Sequence, residues 1–428
     1  MLPSSVALLL VIAACGGSEP PPLDAGVLAC EGGDGVATAV PTVVRMVSPG
    51  NNDSEPRVAP WGTSAIVAWQ SSYFIGAGFA SSADGGNTWN PLDHLNGPDG
   101  KTGDVSLATA ANGTTFFIGT ESLDSSSDSP SLAPLVGAHI GSGAMHFDPP
   151  VEIASAMHAD KPSIAFDDSG RLVIFYNDVL GGMMVMRAED TAATTFAAPV
   201  PLHYSDMTLF GGDRPAICVD RNRVAVAPLR AATAVGLSLV RETTPANWDI
   251  LGVPTVDMPV NYDPGCVVDG NDLWIAYGSF NTPGVAHKVG RPETFTTQDA
   301  ADSIRVIHSP DGGLTFDHDV RVTGPISATK YMFPEFVRTG SGQLELVYYE
   351  GVPDNAATLS RATSVTGDCN SWSHQQLASA GTLELSRISG RWLGDYFGVL
   401  AVDHSIIAAF TDNSGTSSAI STVRYDTP

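Results

Sequence analysis

Apolar residues along this chain fall in short paired runs, not in helical stripes. Seven times an acidic residue leads into an apolar run, a turn rich in Gly, Asn and Asp, and a second apolar run. The units begin at Glu55 (EPRVAPWGTSAIVAWQ), Asp104 (DVSLATAANGTTFFIGT), Asp160 (DKPSIAFDDSGRLVIFYND) and Asp213 (DRPAICVDRNRVAVAPL). They continue at Asp263 (DPGCVVDGNDLWIAYGS), Glu335 (EFVRTGSGQLELVYYEG) and Asp395 (DYFGVLAVDHSIIAAFTDN). Successive starts lie 49, 56, 53, 50, 72 and 60 residues apart. Each pair of runs reads as two strands joined by a tight turn. A third and fourth strand follow, as in VGLSLVRE (235–242) and in MVMRAED and FAAPVPLHY within 184–204. Four strands per repeat of this length is the arithmetic of a propeller blade, whose strands are buried on both faces between neighbours. The expected fold is therefore all-β: a β-propeller of seven four-stranded blades, with six blades as the alternative.

Closure of such a ring leaves its own trace. The last unit supplies three strands before the sequence stops at Pro428, while AVPTVVRMVS (39–48) has no blade of its own. That segment resembles the fourth strands APVPLHY and HDVRVTG. It is expected to complete the last blade and leave no open edge.

The N-terminal region reads differently. Residues 1–14 carry no charged side chain and hold a short apolar core, too short for a permanent span. Ile12-Ala13-Ala14-Cys15 resembles the lipobox of bacterial lipoproteins, which implies a signal peptide at 1–14 and a lipidated Cys15. Residues 15–38 then read as a flexible tether, and 39–428 as the propeller. The implied location is the cell envelope, with the lipid as the membrane contact. A formal charge of −25 argues against nucleic acid and anionic lipid surfaces as partners. A monomer is expected. The remaining cysteines, Cys30, Cys218, Cys266 and Cys369, form no disulfide framework and no metal motif. Their pairing stays open, with Cys218 and Cys266 in core-like strands. No cofactor is expected, although the turns DDSG (167–170) and DGND (269–272) offer oxygen ligands suited to structural Ca2+.

Two turns are more specific. Ser82-Ala83-Asp84-Gly85-Gly86-Asn87-Thr88-Trp89 fits the Asp-box pattern SxDxGxTW at every fixed position, and Ser309-Pro310-Asp311-Gly312-Gly313-Leu314-Thr315-Phe316 fits with Phe for Trp. In such a hairpin the carboxylate accepts the turn's own N–H groups and Gly supplies a positive φ. The boxes, with WLGDYFGVLAVDHSIIAAFTDN at 392–413, make the chain from about residue 39 resemble the sialidase-like, BNR-repeat propellers. The resemblance implies that Ser82, Asp84, Gly86, Thr88, Trp89, Ser309, Asp311, Gly313, Thr315 and Phe316 are structural. It also implies a glycan partner and, for an enzyme of that superfamily, a glycosidase site of Arg triad, Tyr nucleophile with Glu, and Asp acid.

Placed on this sequence, the resemblance makes Arg57 the first arginine, Tyr396 the nucleophile, and Glu335 or Glu350 its partner. It fails elsewhere. The stretch QSSYFIGAGFAS (70–81), where the Asp acid belongs, has no carboxylate. Arg187, Arg214, Arg338 and Arg391 are the remaining arginines weighed for the triad, none in a diagnostic motif. Residues just before the inner strands line a propeller's funnel, where ligands bind. They include Arg57, His158, Lys161, Arg214, Tyr262, Lys330, Tyr331, Arg391 and Tyr396, beside a ring of one carboxylate per blade. Of these, Arg57, His158, Lys161, Arg214, Tyr262 and Arg391 are the expected substrate contacts. A lyase reading would use His158 and Tyr176 with Arg187. The sequence thus points to a surface-anchored propeller that binds or processes glycans without a complete sialidase site. The alternatives are an active hydrolase or lyase, and a non-enzymatic adhesin or scaffold.

Overall fold

The computed structural model describes most of residues 28–427, apart from short connecting segments and longer ones at 123–133, 209–215, 281–299 and 384–391. All its elements are strands. The chain forms the all-β propeller read from its repeats. Sheets of four or more strands follow one another at residues 54–95, 101–154, 159–201, 216–253, 258–321, 330–382 and 398–426. They are called blades one to seven here. The innermost strand of each touches that of the next, and Ser54–Trp61 in blade one meets Gly398–Val402 and Ser405–Asp412 in blade seven, so the ring closes.

The second strand of each blade is the most apolar because a neighbouring blade covers both its faces. Ala65, Ile66, Val67 and Ala68 are wholly buried, as are Val173, Ile174 and Phe175, and Ile406, Ile407, Ala408 and Ala409. Close approach between blades also fixes small residues. A Cβ on Gly398 would lie 2.7 Å from the backbone nitrogen of Val58, so a larger residue there would force blades seven and one apart.

Val43–Met46 pairs antiparallel with Ala419–Asp426 as the fourth strand of blade seven, and Val47 N donates to Ile420 O at 2.8 Å. This is the closure expected from the sequence. The same segment does more than foreseen. Leu28–Glu31 adds in parallel to the outer strand of blade five, and Thr38–Ala39 to that of blade six. Reading 15–38 as a tether missed these pairings, because strand addition uses backbone groups and leaves little mark on side-chain pattern. Residues 1–27, including Cys15, lie outside the described residues.

Cys218 and Cys266 form a disulfide between the inner strands of blades four and five, with a Cα–Cα distance of 5.9 Å. That settles one pairing left open by the sequence.

Candidate binding site on the propeller axis

Four inner strands share a defect at the same place. In each, two residues oppose one on the second strand: Glu55-Pro56 against Trp69, Asp104-Val105 against Gly119, Lys161-Pro162 against Tyr176, and Phe333-Pro334 against Tyr348. The first residue of each bulge is left-handed, with φ of 57° at Glu55, 42° at Asp104, 47° at Lys161 and 50° at Phe333. Non-glycine residues adopt this region at a cost, and such strain collects at functional sites. Proline as the second bulge residue removes an N–H that would otherwise miss its ladder partner.

The bulges turn the inner strands' leading residues toward one another across the ring. Arg57 of blade one reaches Glu335 of blade six, Nη1 to Oε1 at 2.7 Å. The same guanidinium donates to the Phe397 carbonyl and lies 4.2 Å above the Tyr396 ring. Lys161 of blade three reaches Asp395 of blade seven, Nζ to Oδ2 at 2.6 Å. Asp395 N donates to Glu55 Oε1 at 3.3 Å, and Tyr396 Oη donates to the Val105 carbonyl of blade two at 3.3 Å. Asp104 N donates to Gln70 Oε1 at 3.1 Å, joining blades one and two. These bonds link blades one, two, three, six and seven at one end of the inner strands.

Exposure within the pairs is uneven. The Arg57 and Lys161 side chains are 7% and 2% exposed, against 21% for Glu335 and 12% for Asp395. Burial pushes the Glu335 carboxyl above its ordinary value, and the Arg57 charge and hydrogen bond only partly offset that. In both pairs the carboxylate side chain is the more exposed partner and the cation the more buried one.

Asp213 and Asp263 lie outside the described residues, and among those described the acidic residues do not share the single position expected from the sequence. Glu55 and Asp104 occupy the left-handed position, but Lys161 and Phe333 hold it in blades three and six. Asp160 falls one residue earlier and Glu335 two residues later. Sequence spacing could not fix this register because a bulge shifts it by one residue.

Of the expected contacts, Arg57 and Lys161 are in the cluster, as are Tyr396 and Glu335. His158, Arg214, Tyr262 and Arg391 lie outside the described residues. The Tyr396 phenol is buried and donates to a backbone carbonyl, and Arg57 covers its ring. Arg187 and Arg338 sit at the opposite ends of their blades. Arg187 pairs across to Glu242 of blade four and to Asp167 at 3.4 Å, and Arg338 pairs with Asp269 of blade five. Tyr176 is core, packed with Ile164 and Met186, and burial followed by the Asp178 charge raises its pKa to about 12. Lys330 pairs with Asp302 at 2.6 Å, and Glu350 accepts from Ser360 Oγ at 2.6 Å, both near the leading end of blade six. The Asp167 carboxylate of DDSG is bonded by its own turn at Ser169 and Arg171.

The two box hairpins lie at the periphery. Asp84 Oδ1 accepts Thr88 N at 2.9 Å and its Oδ2 accepts Thr88 Oγ1 at 2.7 Å, while Gly86 N donates to Ser82 Oγ at 2.8 Å. At the second hairpin the matching distances are 2.8, 2.7 and 2.7 Å, through Asp311, Thr315, Gly313 and Ser309. Gly86 and Gly313 have φ of 86° and 93°. Trp89 packs into the cluster of Val47, Trp69 and Ile420 between blades one and seven, and Phe316 into that of Leu239, Leu273 and Ile307 between blades four and five. A third hairpin of this kind escaped sequence reading. Asp190 accepts Thr194 Oγ1 at 2.8 Å and Thr195 Oγ1 at 2.6 Å, Ala193 takes a φ of 51°, and Phe196 packs inward. It lacks both Ser and Gly, so only the Asp-Thr-Thr-Phe remnant marked it.

The class that fold and site define is a β-propeller with a buried, ion-paired axis. No protein-family model matches the chain, and comparison with curated proteins finds no match in sequence. Among solved structures it is similar to a Dyadobacter fermentans protein of unknown function, with a TM-score of 0.52 at 14% identity over 78% of this chain and 97% of that one. It is also similar to the phage phi92 endosialidase, with a TM-score of 0.54 at 11% identity over 90% and 69%. The Trypanosoma rangeli sialidase gives 0.51 at 10% identity, over 91% of this chain and 59% of that one. At these identities the likeness is one of fold.

Proposed function

We propose that this protein is a glycan-binding propeller of the sialidase-like, Asp-box kind, held at the cell envelope through a lipidated Cys15. The observation that carries the binding reading is the uneven exposure of the two axial ion pairs, Arg57–Glu335 and Lys161–Asp395. Sugar hydroxyls are donors, and the more exposed partner of each pair is an acceptor held in place by a buried cation. Binding is favoured over turnover because the Tyr396 phenol is engaged with the Val105 carbonyl and residues 70–81 hold no carboxylate for an acid. The likeness in fold to sialidases supports a carbohydrate ligand only by analogy.

A glycan-array screen of the full chain beside Glu335→Gln tests this. Selective binding that the substitution weakens at least tenfold is expected. Binding to no glycan, or equal binding by the variant, overturns the reading. Release of sugar from a bound glycan would move the assignment to a hydrolase or lyase.

A further inference from the structure

We infer that blade five carries a zinc-binding site at the base of its outer hairpin, formed by His308, Asp317 and His318. The site is independent of the axis. Its residues bracket the second box in the sequence His308-(309–316)-Asp317-His318. The hairpin brings His308 and His318 opposite one another across the strand pair Ser303–Ser309 and His318–Arg321.

The geometry is that of three convergent ligands. His308 Nδ1 lies 2.7 Å and His318 Nδ1 2.8 Å from the same oxygen, Asp317 Oδ1. One ligand atom from each residue lies within 4.8 Å of both others. Tetrahedral zinc with bonds of about 2.0–2.1 Å would hold such atoms roughly 3.3–3.4 Å apart. Small side-chain rotations that open the two His–Asp separations by about half an ångström, and bring the imidazoles to the same spacing, therefore admit the ion. Two imidazoles and a carboxylate, with a fourth position for water, form a donor set that zinc takes readily. The other nitrogen of His308 supplies a second, independent observation. Nε2 faces Asp272 Oδ1 at 3.3 Å, and the ring lies against Trp274 with centroids 4.8 Å apart. A carboxylate on the far nitrogen is the arrangement that fixes a metal-binding imidazole's tautomer and orientation. The side chains are 18–40% exposed, which leaves a route for the ion.

The first box hairpin is an internal control. Aligned on Ser82 and Ser309, its positions equivalent to His308, Asp317 and His318 are Ser81, Asn90 and Pro91. The same hairpin therefore forms without these ligands, so the box itself does not require them. The zinc site also lies where Leu28 pairs with His318, so ion binding would brace the strand that receives the N-terminal segment.

The test is zinc titration of the chelator-treated full chain by calorimetry, with cobalt(II) substitution read by visible absorption. One zinc per chain and a cobalt spectrum of tetrahedral intensity are expected. His308→Ala and His318→Ala should each abolish both signals, and Asp272→Asn should weaken affinity about 10- to 100-fold. Circular dichroism of each variant checks that the propeller remains folded. No zinc uptake by the wild-type chain, or undiminished uptake by the His308→Ala/His318→Ala double variant, overturns the proposal and leaves a hydrogen-bonded His–Asp–His trio.

Discussion

The periphery and the axis of this ring use the repeat in opposite ways. At the periphery, Asp84 and Asp311 sit in near-identical hairpins, with the same Ser, Gly and Thr partners within 0.1 Å of one another. At the axis, one backbone device carries four different residues, Glu55, Asp104, Lys161 and Phe333. Where the residues repeat, they solve a problem every blade shares, namely closing an outer hairpin. Where the backbone repeats and the residues diverge, the ring has one centre and each blade contributes a different group. Recurrence marks scaffold here, and divergence at an equivalent position marks the candidate site.

Substitutions can break that comparison, and the largest effect should come from the axis. Arg57→Ala removes the partner of Glu335, the bond to the Phe397 carbonyl and the cover of Tyr396. It is expected to cost about 3–5 kcal/mol, since it strands a largely buried carboxylate. Urea unfolding of wild type and variant would measure it; a loss below ~1 kcal/mol would mean the pair is not the brace described. Next comes the link between blades four and five. Replacing Cys218 and Cys266 with Ala should cost about 2–4 kcal/mol, because the bond closes a 48-residue separation. Melting the wild type with and without reductant should reproduce the same shift.

Smaller effects belong to the periphery. Asp84→Ala and Asp311→Ala should each cost about 1–2 kcal/mol, similar to one another and additive, because the hairpins share no partners. Unequal costs would show that equal geometry hides unequal roles. The smallest effect is in pH dependence. Hydrogen bonds from Thr88, partly opposed by burial, hold the Asp84 carboxyl below its ordinary value. At Asp311 burial pushes upward, but the bonds from Thr315, Ser309 and Leu314 together outweigh it. A folded value below the unfolded one stabilises above the ordinary carboxylate range and is lost as pH falls beneath it. The Asp84→Asn/Asp311→Asn double variant should therefore lose less stability than wild type between pH 6 and pH 3. An identical acid slope would contradict the assignment.

The sequence carried the fold well because blade strands are buried on both faces and repeat their apolar runs. It carried the closing strand too, since VVRM at 43–46 has the pattern of a fourth strand. Bulge positions had a visible mark in Pro56, Pro162 and Pro334, yet the carboxylates were aligned without allowing for the extra residue. The disulfide had a signal as well: Cys218 and Cys266 are 48 residues apart, close to the 50 separating their repeat starts. What no linear reading could supply was reach across the ring. Lys161 meets Asp395 because blades three and seven face a common axis, a relation that closure creates and no local pattern encodes. The hairpin at Asp190 was illegible for another reason: Ala193 takes the positive φ that Gly normally marks.

The most direct test of the division between axis and periphery is calorimetric titration of one array-selected glycan into wild type, Glu335→Gln and Asp84→Ala. The account predicts that Glu335→Gln weakens binding at least tenfold with the fold intact, while Asp84→Ala lowers the melting temperature and leaves affinity unchanged. Equal affinity in the wild type and Glu335→Gln, or loss of binding only in Asp84→Ala, would contradict it.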